Sequence, residues 1–387
     1  MKNIAVITVA RSDYSILRPI LSEIEESDEL NLVLYVTGMH LSSEYGLTDG
    51  EITDDGFSIA KRIEILDKSN SPTGIAKSIS NGVLKFSKIY SQSQPDFLLV
   101  MGDRFEMYAA TIAAIPFNIP IAHIHGGEVS FGAFDDVIRH SITKLSHLHF
   151  VSTEEYYKRV IQLGEEPWRV TISGAPALDN LNNFSLLTIN DLSKKYALDL
   201  DEPPIVVTFH PTTREFKNTQ DDAIALLDAL KMTGKNIIFT YPNADTSSKI
   251  IIDLINNFCS NYNKSKAIRS LGPLGYYSLL NHAAMMVGNS SSGIIEAASF
   301  KLPVVNIGNR QKGRACGKNV IHSSNNKDDI LNAINTASSL EFRKSIKDIC
   351  NIYSQKNSAK RIINKIIQAR IDNNFISKKF HDINYTV

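Results

Sequence analysis

The most chemically suggestive stretch of the sequence runs from residue 119 to residue 147 and reads IPIAHIHGGEVSFGAFDDVIRHSITKLSH. A short apolar run in it ends at two histidines separated by one residue, and two glycines, a glutamate and an Asp-Asp pair follow. Paired imidazoles and carboxylates could ligate a metal ion, or transfer protons to and from a small polar substrate. Capping of the following helix is the ordinary structural alternative for the two aspartates.

The two histidines of this stretch favour acid–base chemistry over metal binding. His123 and His125 point to the same side if one strand runs through both, which is the geometry of a ligand pair. However, no third histidine or cysteine stands at a spacing typical of zinc sites, so we expect no metal. Glu128 and Asp135 add carboxylates nearby. Carboxylates that lie close together repel, which raises some of their pKa values toward the range useful to acids and bases.

Polar residues also follow several other predicted strands. Asp103 and Arg104, in MGDRFEM, are either a catalytic acid beside an anion-binding arginine or a plain salt bridge. In VARSDYS, Asp13 is a candidate helix cap. The remaining candidates at such strand ends are Arg11, Ser15, His210, Asn243 and Arg310. Together these side chains suit an anionic substrate that is rich in hydroxyl groups.

The segment VGNSSSGIIEAASF, residues 287–300, joins a predicted strand to a predicted helix. Its serines, among them Ser290 and Ser291, could hold a phosphate at the helix start, or could simply cap the helix. Glu296 lies about one and a half turns into that helix, where its carboxylate could accept a ribose hydroxyl. The chain has neither GxGxxG after the first strand nor GxxxxGK[ST], which excludes the dinucleotide fingerprint and the P-loop.

The elements that must position these residues alternate between short apolar runs and amphipathic segments such as YSILRPILSEIEES. This alternation predicts an α/β fold of parallel βα units. The predicted strands cover residues 3–9, 32–38, 96–102, 120–125, 148–152, 170–174, 205–211, 236–242, 266–272, 285–291 and 303–308. We predict two Rossmann-like domains, 1–180 and 205–365, joined by a hinge at 181–204 and followed by a loosely attached tail at 366–387, with a ligand cleft between the domains.

Composition narrows the class of protein further. The 387 residues contain 41 Lys and Arg against 41 Asp and Glu, so the basic excess of proteins that bind nucleic acids or anionic membranes is missing. The three cysteines form no CxxC pair, which is typical of free thiols in a reducing compartment. No apolar run approaches the ~20 residues of a membrane span. We therefore predict a cytoplasmic protein.

The ordered motifs MGDRFE, HIHGGE, the Asp-Asp pair before IRHSITKLSH, PNADTSSK, GNSSSGIIE and NIGNRQKGR resemble a known enzyme family. They are similar to those of the hydrolysing UDP-N-acetylglucosamine 2-epimerases of bacterial sialic-acid synthesis, and the resemblance runs from about residue 3 to residue 370. It implies the GT-B fold of two Rossmann-like domains and a UDP-sugar substrate. It also implies chemistry without a metal or other cofactor, and a homo-oligomer, either a dimer or a tetramer.

The resemblance also assigns roles to residues. It implies catalytic roles for Asp103, His125, Glu128, Asp135 and His210. It implies that UDP is held by Arg11, Ser15, Arg104, His210, Asn243, Ser290, Ser291, Glu296 and Arg310, with Leu271 lining the uracil pocket. Some relatives carry HIEGGE where this chain reads HIHGGE, so His125 stands in place of a carboxylate. The division of base and acid roles between His125 and Glu128 therefore stays open.

The implied reaction has two stages. A base removes the C2 proton while UDP leaves C1, which gives 2-acetamidoglucal, and water then adds to yield N-acetylmannosamine. Three alternatives stay open on this fold. They are a 2-epimerase of UDP- or GDP-N,N'-diacetylbacillosamine for legionaminic acid, a retaining glycosyltransferase, and a non-catalytic sensor of nucleotide sugars.

Overall fold

The computed structural model describes residues 1–43, 46–67, 69, 71–130, 135–211, 218–242 and 248–383. The chain divides into two compact units. The first unit comprises Met1–Glu128, Phe134–Asn180 and Gln355–Val387, and the second comprises Val129–Ala133 and Leu181–Ser354. Each unit is built on one parallel sheet.

The first unit contains a seven-stranded sheet within the described residues, in the order β3-β2-β1-β4-β5-β6-β7. Its strands are Lys2–Thr8 (β1), Leu30–Thr37 (β2), Ile59–Ile63 (β3), Phe97–Met101 (β4), Ile121–Ile124 (β5), Leu148–Val151 (β6) and Val170–Ile172 (β7). All neighbouring strands pair in parallel. Every residue of β4 is buried, as a parallel strand covered on both faces by helices requires.

The second unit contains a six-stranded parallel sheet within the described residues, in the order β10-β9-β8-β11-β12-β13. Its strands are Ile205–Thr208 (β8), Ile237–Thr240 (β9), Ser265–Ile268 (β10), Met285–Gly288 (β11), Val304–Ile307 (β12) and Val320–Ser323 (β13). Strand order reverses beside β1 in the first sheet and beside β8 in the second. Ligands of open α/β sheets bind at such points, outside the carboxyl ends of the strands.

Helices connect the strands and cover the faces of both sheets. The α-helices are Arg11–Glu25 (α1), Asp49–Asp54 (α2), Pro72–Gln92 (α3), Phe105–Ala114 (α4), Asp135–Leu145 (α5), Glu154–Gln162 (α6), Asp179–Asn183 (α7), Ile189–Tyr196 (α8), Thr219–Met232 (α9), Ser248–Asn261 (α10), Gly272–His282 (α11), Ser291–Ile295 (α12), Lys327–Ser338 (α13), Leu340–Ser345 (α14), Ser358–Gln368 (α15) and Asn373–Ile376 (α16). Short 3₁₀ helices span Gly38–Leu41, Ile115–Phe117, Pro167–Arg169, Pro176–Leu178 and Ala297–Phe300. Among the described residues, no helix is both long enough and apolar enough to cross a membrane.

The C-terminal segment differs from the prediction. We expected residues up to 365 to belong to the second domain and residues 366–387 to form a loose tail. Instead, the apolar face of α15 packs into the core of the first unit through Ala359, Ile362, Ile363 and Ile366. Phe375 is only 4% exposed, and its carbonyl accepts a hydrogen bond from Arg169 Nη1 at 2.9 Å. The apolar face of this amphipathic helix is therefore buried by the first unit. The predicted hinge at 181–204 contains α8, and its role as a hinge stays a prediction.

Candidate active site

An ion pair joins β4 to α5 in the first unit. Asp103 follows β4, and its carboxylate pairs with Nη2 of Arg139 in α5. Arg139 is only 3% exposed and also donates from Nη1 to the carbonyl of His125 at 3.2 Å. One buried guanidinium therefore holds the backbone at the end of β5 and the carboxylate at the end of β4. Sequence reasoning missed Arg139. The available signal was its position one helical turn after Asp135, on the same face of α5.

Several carboxylates surround Arg104 at the same sheet edge. Burial alone would lower the pKa of Arg104, but the charges of Glu106, Asp103, Asp13 and Asp135 raise it overall. In turn, burial raises the pKa of Asp135 to about 6, and the negative charge of Asp103 contributes to this rise. Asp135 therefore exchanges its proton near neutral pH, as an acid or base catalyst must. The charges of Asp103 and Asp135 both act on Arg104, so the structure brings these three side chains close together.

His125, Glu128 and Ser152 form a buried hydrogen-bonded group. Nδ1 of His125 lies 2.7 Å from Oε1 of Glu128 and 2.9 Å from Oγ of Ser152. The Ser152 hydroxyl itself donates to Oε1 of Glu128 at 3.0 Å. Because a carboxylate only accepts, Nδ1 carries a hydrogen toward Glu128, and in the neutral form of the ring the lone pair is then on Nε2. This arrangement suits a proton acceptor at Nε2. Sequence reasoning missed Ser152, although it stands at the end of a predicted strand.

The turn between these residues depends on unusual backbone angles. His125 has φ 62°, and Gly127 has φ 74°. A Cβ atom on Gly127 would lie 2.6 Å from the carbonyl oxygen of Tyr156, so a larger residue does not fit there. The backbone therefore turns sharply at Gly127.

His123 and His125 bond to separate sets of partners. β5 ends at Ile124 and His125 adopts a left-handed backbone, so the alternation of a strand does not extend to His125. Nε2 of His123 lies 2.8 Å from the carbonyl oxygen of Gly102, and Nδ1 lies 3.2 Å from Oγ1 of Thr143. Burial lowers the pKa of His123 to about 3, so the ring is neutral and donates from Nε2 to Gly102. No group of three or more His, Cys, Asp or Glu among the described residues could hold a metal ion.

Three candidate polar residues follow β1 at the start of α1, and only Asp13 has a clear structural role. Asp13, the third residue of α1, accepts hydrogen bonds from the backbone N–H groups of Val9 at 2.9 Å and of the N-cap residue Ala10 at 2.6 Å, so it stabilises the helix start from inside the first turn. Arg11 is exposed, and its Nη1 lies 3.8 Å from Oε1 of Glu51. Ser15 Oγ donates to a backbone carbonyl of the same helix at 2.9 Å. A contact of Arg11 or Ser15 with UDP stays a prediction.

In the second unit, His210 and Arg310 meet at one asparagine. Asn289 accepts from the backbone N–H of His210 at 2.7 Å through Oδ1, and it donates from Nδ2 to the carbonyl of His210 at 2.8 Å. Its own carbonyl accepts from Arg310 Nη1 at 3.0 Å. Burial lowers the pKa of His210 to about 3, and the charge of Arg310 lowers it further. His210 is therefore neutral. Sequence reasoning did not single out Asn289.

The remaining candidates of the second unit lie around α11 and α12. Ser290 caps α12, and its Oγ accepts from the backbone N–H of Ser292 at 3.3 Å. Burial raises the pKa of Glu296, whose Oε1 accepts from the hydroxyl of Tyr277 at 3.5 Å. Leu271 is 7% exposed and stands at the start of α11. Ser291 is the first residue of α12, and Asn243 lies outside the described residues.

A comparison with known protein families identifies the chain. The sequence profile described as UDP-N-acetylglucosamine 2-epimerase matches residues 22–367. The chain belongs to this family. The resemblance found in the sequence motifs is therefore confirmed.

Curated relatives in this family differ in the sugar that their names state. A GDP/UDP-N,N'-diacetylbacillosamine 2-epimerase (hydrolyzing) of Campylobacter jejuni is 40% identical over 89% of each chain. Polysialic acid biosynthesis protein P7 of Escherichia coli is 38% identical over 99% of this chain and 98% of its own length. A UDP-N-acetylglucosamine 2-epimerase of Neisseria meningitidis serogroup B is 34% identical over 99% of this chain and 100% of its own.

Solved structures confirm the predicted fold class. The crystal structure of UDP-GlcNAc 2-epimerase from Neisseria meningitidis bound to UDP-GlcNAc matches with a TM-score of 0.82. The match covers 95% of this chain and 100% of that chain at 17% identity. The protein thus has two Rossmann-like domains of the GT-B fold class.

Proposed function

We propose that this member of the family is a hydrolysing 2-epimerase that converts UDP-N-acetylglucosamine and water to N-acetylmannosamine and UDP. The protein is an enzyme that acts on a sugar nucleotide. The observation that carries the proposal is the group of proton-transfer residues at one edge of the first sheet. It contains the imidazole of His125, whose Nδ1 lies 2.7 Å from Oε1 of Glu128, and the carboxyl group of Asp135, whose pKa is about 6.

The first half-reaction is an elimination. A base removes the proton from C2 of the sugar, and the electrons of that C–H bond form the C1–C2 double bond as the C1–O bond breaks. The product is 2-acetamidoglucal, and the C1–O electrons leave with UDP. The C2 proton is weakly acidic, and a positioned base alone contributes ~10²–10⁴-fold, so departure of UDP must assist the step. We assign proton transfer at C2 to His125, Glu128 and Asp135, with Asp103 as a further catalytic carboxylate.

The second half-reaction adds water across the double bond. The water oxygen bonds to C1 and loses a proton to a base, while an acid delivers a proton to C2 on the face opposite to the one deprotonated. The 2-epimer, N-acetylmannosamine, is then released. A pKa of about 6 for Asp135 lets one carboxyl group be present in both protonation states near neutral pH, which suits a group that must serve two half-reactions.

The departing diphosphate gains negative charge and needs cations or N–H donors to stabilise it. We assign this role to Arg104 and Arg310, with the neutral imidazole of His210 as an additional donor. The carboxylate of Glu296 accepts a ribose hydroxyl in this scheme. The other proposed contacts with UDP are those of Arg11, Ser15, Asn243, Leu271, Ser290 and Ser291, of which Asn243 lies outside the described residues.

Incubation of the purified enzyme with UDP-N-acetylglucosamine alone, followed by NMR, tests the proposal. Free N-acetylmannosamine and UDP are the expected products. Formation of UDP-N-acetylmannosamine instead would place the enzyme with non-hydrolysing epimerases. Turnover that requires an added sugar acceptor would identify a glycosyltransferase, and either result would refute the proposed reaction.

A second substrate is favoured by the names of two relatives. The Campylobacter jejuni relative and a Legionella pneumophila relative, 37% identical over 87% of this chain, are both named as hydrolysing 2-epimerases of N,N'-diacetylbacillosamine nucleotides. The Escherichia coli relative is named for polysialic acid biosynthesis, which favours the N-acetylglucosamine substrate. The ratio of kcat/KM for the two UDP-sugars decides between them. We expect the higher value for UDP-N-acetylglucosamine.

A further inference from the structure

Asn289 stands at the point where strand order reverses in the second sheet. It follows β11 directly, and β11 pairs with β8. Its backbone N–H donates to the carbonyl of Thr208 at 3.1 Å, which continues the ladder by one residue. The backbones of β11 and β8 lie close together here. A Cβ atom on Gly288, which has φ 138°, would lie 2.0 Å from the carbonyl oxygen of Thr208. Any ligand bound at this reversal would meet the residues that Asn289 contacts.

Beyond that bond, the side chain of Asn289 makes the two hydrogen bonds that a neighbouring strand would make. Its Oδ1 accepts from the backbone N–H of His210 at 2.7 Å, and its Nδ2 donates to the carbonyl of His210 at 2.8 Å. The primary amide thus pairs with both polar groups of one residue, as one peptide chain pairs with another in a sheet. Asn289 is 2% exposed and His210 is 6% exposed. Loss of either bond would therefore remove a hydrogen bond between two buried residues.

The backbone carbonyl of Asn289 also collects donors from the loop after β12. Arg310 Nη1 donates to it at 3.0 Å, and Gln311 Nε2 donates to it at 2.9 Å. One residue thereby fixes the backbone of His210 through its side chain and the guanidinium of Arg310 through its carbonyl. These are the two groups that the proposed function assigns to the diphosphate.

We infer that Asn289 is a positioning residue that holds His210 and Arg310 in place for a nucleoside diphosphate. The inference rests on the proposed function. Asn289 acts through these two residues and itself stays buried. Among side chains of this length, only a primary amide accepts from the N–H and donates to the carbonyl of the same residue. A carboxylate accepts but repels the carbonyl oxygen, and it donates only when it is protonated.

The chemistry of Asn289→Asp gives a test that a merely structural role would not pass. At pH 8 the introduced carboxylate faces the carbonyl of His210, so we expect UDP affinity to fall by about ten- to a hundred-fold relative to wild type. Burial raises the pKa of the introduced group against the opposing charge of Arg310, and its protonated form donates to that carbonyl. The ratio of variant to wild-type Kd for UDP, measured by calorimetry, should therefore shrink toward one as the pH falls to 5.5. Asn289→Ala should weaken UDP binding equally at both pH values.

Asn319→Asp is the matched control in the same unit. Asn319 is 1% exposed, and its Nδ2 donates to the carbonyl of Leu302 at 2.9 Å. It buries an added carboxylate opposite a carbonyl in the same way, but holds none of the residues proposed to contact UDP. We expect this variant to melt at a lower temperature and to bind UDP within about two-fold of wild type at each pH.

The outcomes separate the inference from the proposed function. UDP affinity of Asn289→Asp within two-fold of wild type at pH 8, or a Kd ratio that does not change with pH, would overturn the positioning role. Failure of both Asn289 variants to fold would assign the residue to folding and would overturn it as well. Wild-type protein that binds no UDP would refute the proposed function first, and the positioning role would fall with it.

Discussion

His125 combines a strained backbone with a ring held from one side. Its φ of 62° is uncommon for a residue with a Cβ atom, and such a conformation costs on the order of 1 kcal/mol or more. His125 is 7% exposed, and Glu128 and Ser152 both lie within hydrogen-bond distance of Nδ1. Strain that persists at a buried, hydrogen-bonded histidine is a feature of functional sites. The ring orientation, with Nε2 on the other side, is what proton transfer requires.

Replacement of this ring tests its role. We expect His125→Ala to lower kcat by about 10²–10⁴-fold, because it removes a group that exchanges a proton with the sugar. Steady-state rates of UDP release from UDP-N-acetylglucosamine measure the effect. His140→Ala is the control, since that partly exposed histidine of α5 lies 3.6 Å from Asp136 and has no assigned role. Equal kcat values for His125→Ala and wild type would remove His125 from the mechanism.

Asp135 and Glu128 should fail in a different way from His125. A residue used mainly in hydration can be lost while elimination continues, so the intermediate escapes. We expect Asp135→Asn or Glu128→Gln to release UDP slowly together with free 2-acetamidoglucal, which NMR detects. If neither variant releases the glucal while both still release UDP, these carboxyl groups do not serve hydration.

Glu106 should make the stability of the fold depend on pH. The residue is 2% exposed, and its Oε2 has no hydrogen-bond partner among the described residues. Burial raises the pKa of Glu106 to about 7, whereas its ordinary value is 4.5. The folded state therefore retains a proton that the unfolded state releases, so this group destabilises the fold increasingly as the pH rises from 4.5 to 7. The loss is on the order of 3 kcal/mol once the pH exceeds both values.

The variant Glu106→Gln removes this titration. Its melting temperature should rise relative to wild type between pH 5 and pH 8, because only the wild type acquires a buried charge. Calorimetry at the two pH values measures the difference. A difference in melting temperature that stays constant between pH 5 and pH 8 would contradict the raised pKa.

At the scale of elements, α15 determines where the C-terminal segment belongs. Ile362 is fully buried in the core of the first unit. Ile362→Ala should lower the free energy of unfolding by about 2–5 kcal/mol, since it leaves a cavity in a packed core. Ile371→Ala, at a residue that is 40% exposed just after α15, should change it by less than about 1 kcal/mol. Similar losses in chemical denaturation of the two variants would show that α15 does not pack into this core.

Most strands could be predicted from the sequence because buried parallel strands are apolar throughout. All eleven predicted strands overlap strands of the structure. β3 and β13 were missed, and both are edge strands with partly exposed residues and no continuous apolar run. The apolar spacing of α15 indicated a helix but gave no information on which of the two units it would join.

The candidate site could be predicted where chemistry-bearing residues stand at the ends of strands or the starts of helices. Asp103 and Arg104 follow β4, and Asp135 begins α5. Arg139 could not be predicted because its partner Asp103 lies 36 residues away in sequence. A single sequence does not show which distant residue a helix side chain will contact. Asn289 could not be predicted for a similar reason, since its hydrogen bonds to His210 join residues 79 positions apart in sequence.

At the scale of the whole molecule, equal numbers of acidic and basic residues leave anion binding to local groups. Arg104 follows β4 in the first unit, and Arg310 follows β12 in the second unit. The predicted homo-oligomer, a dimer or a tetramer, stays a prediction that light scattering would test.

The central claim is that the enzyme breaks the C2–H bond and later protonates C2 from solvent. Wild-type enzyme that converts UDP-N-acetylglucosamine in D₂O tests it most directly, with NMR and mass spectrometry of the N-acetylmannosamine formed early in the reaction. We predict one deuterium at C2 in essentially every product molecule, because the proton removed from one face is not the one returned to the other. Product that keeps its original hydrogen at C2 would contradict elimination and hydration, and with them the roles assigned to His125, Glu128 and Asp135.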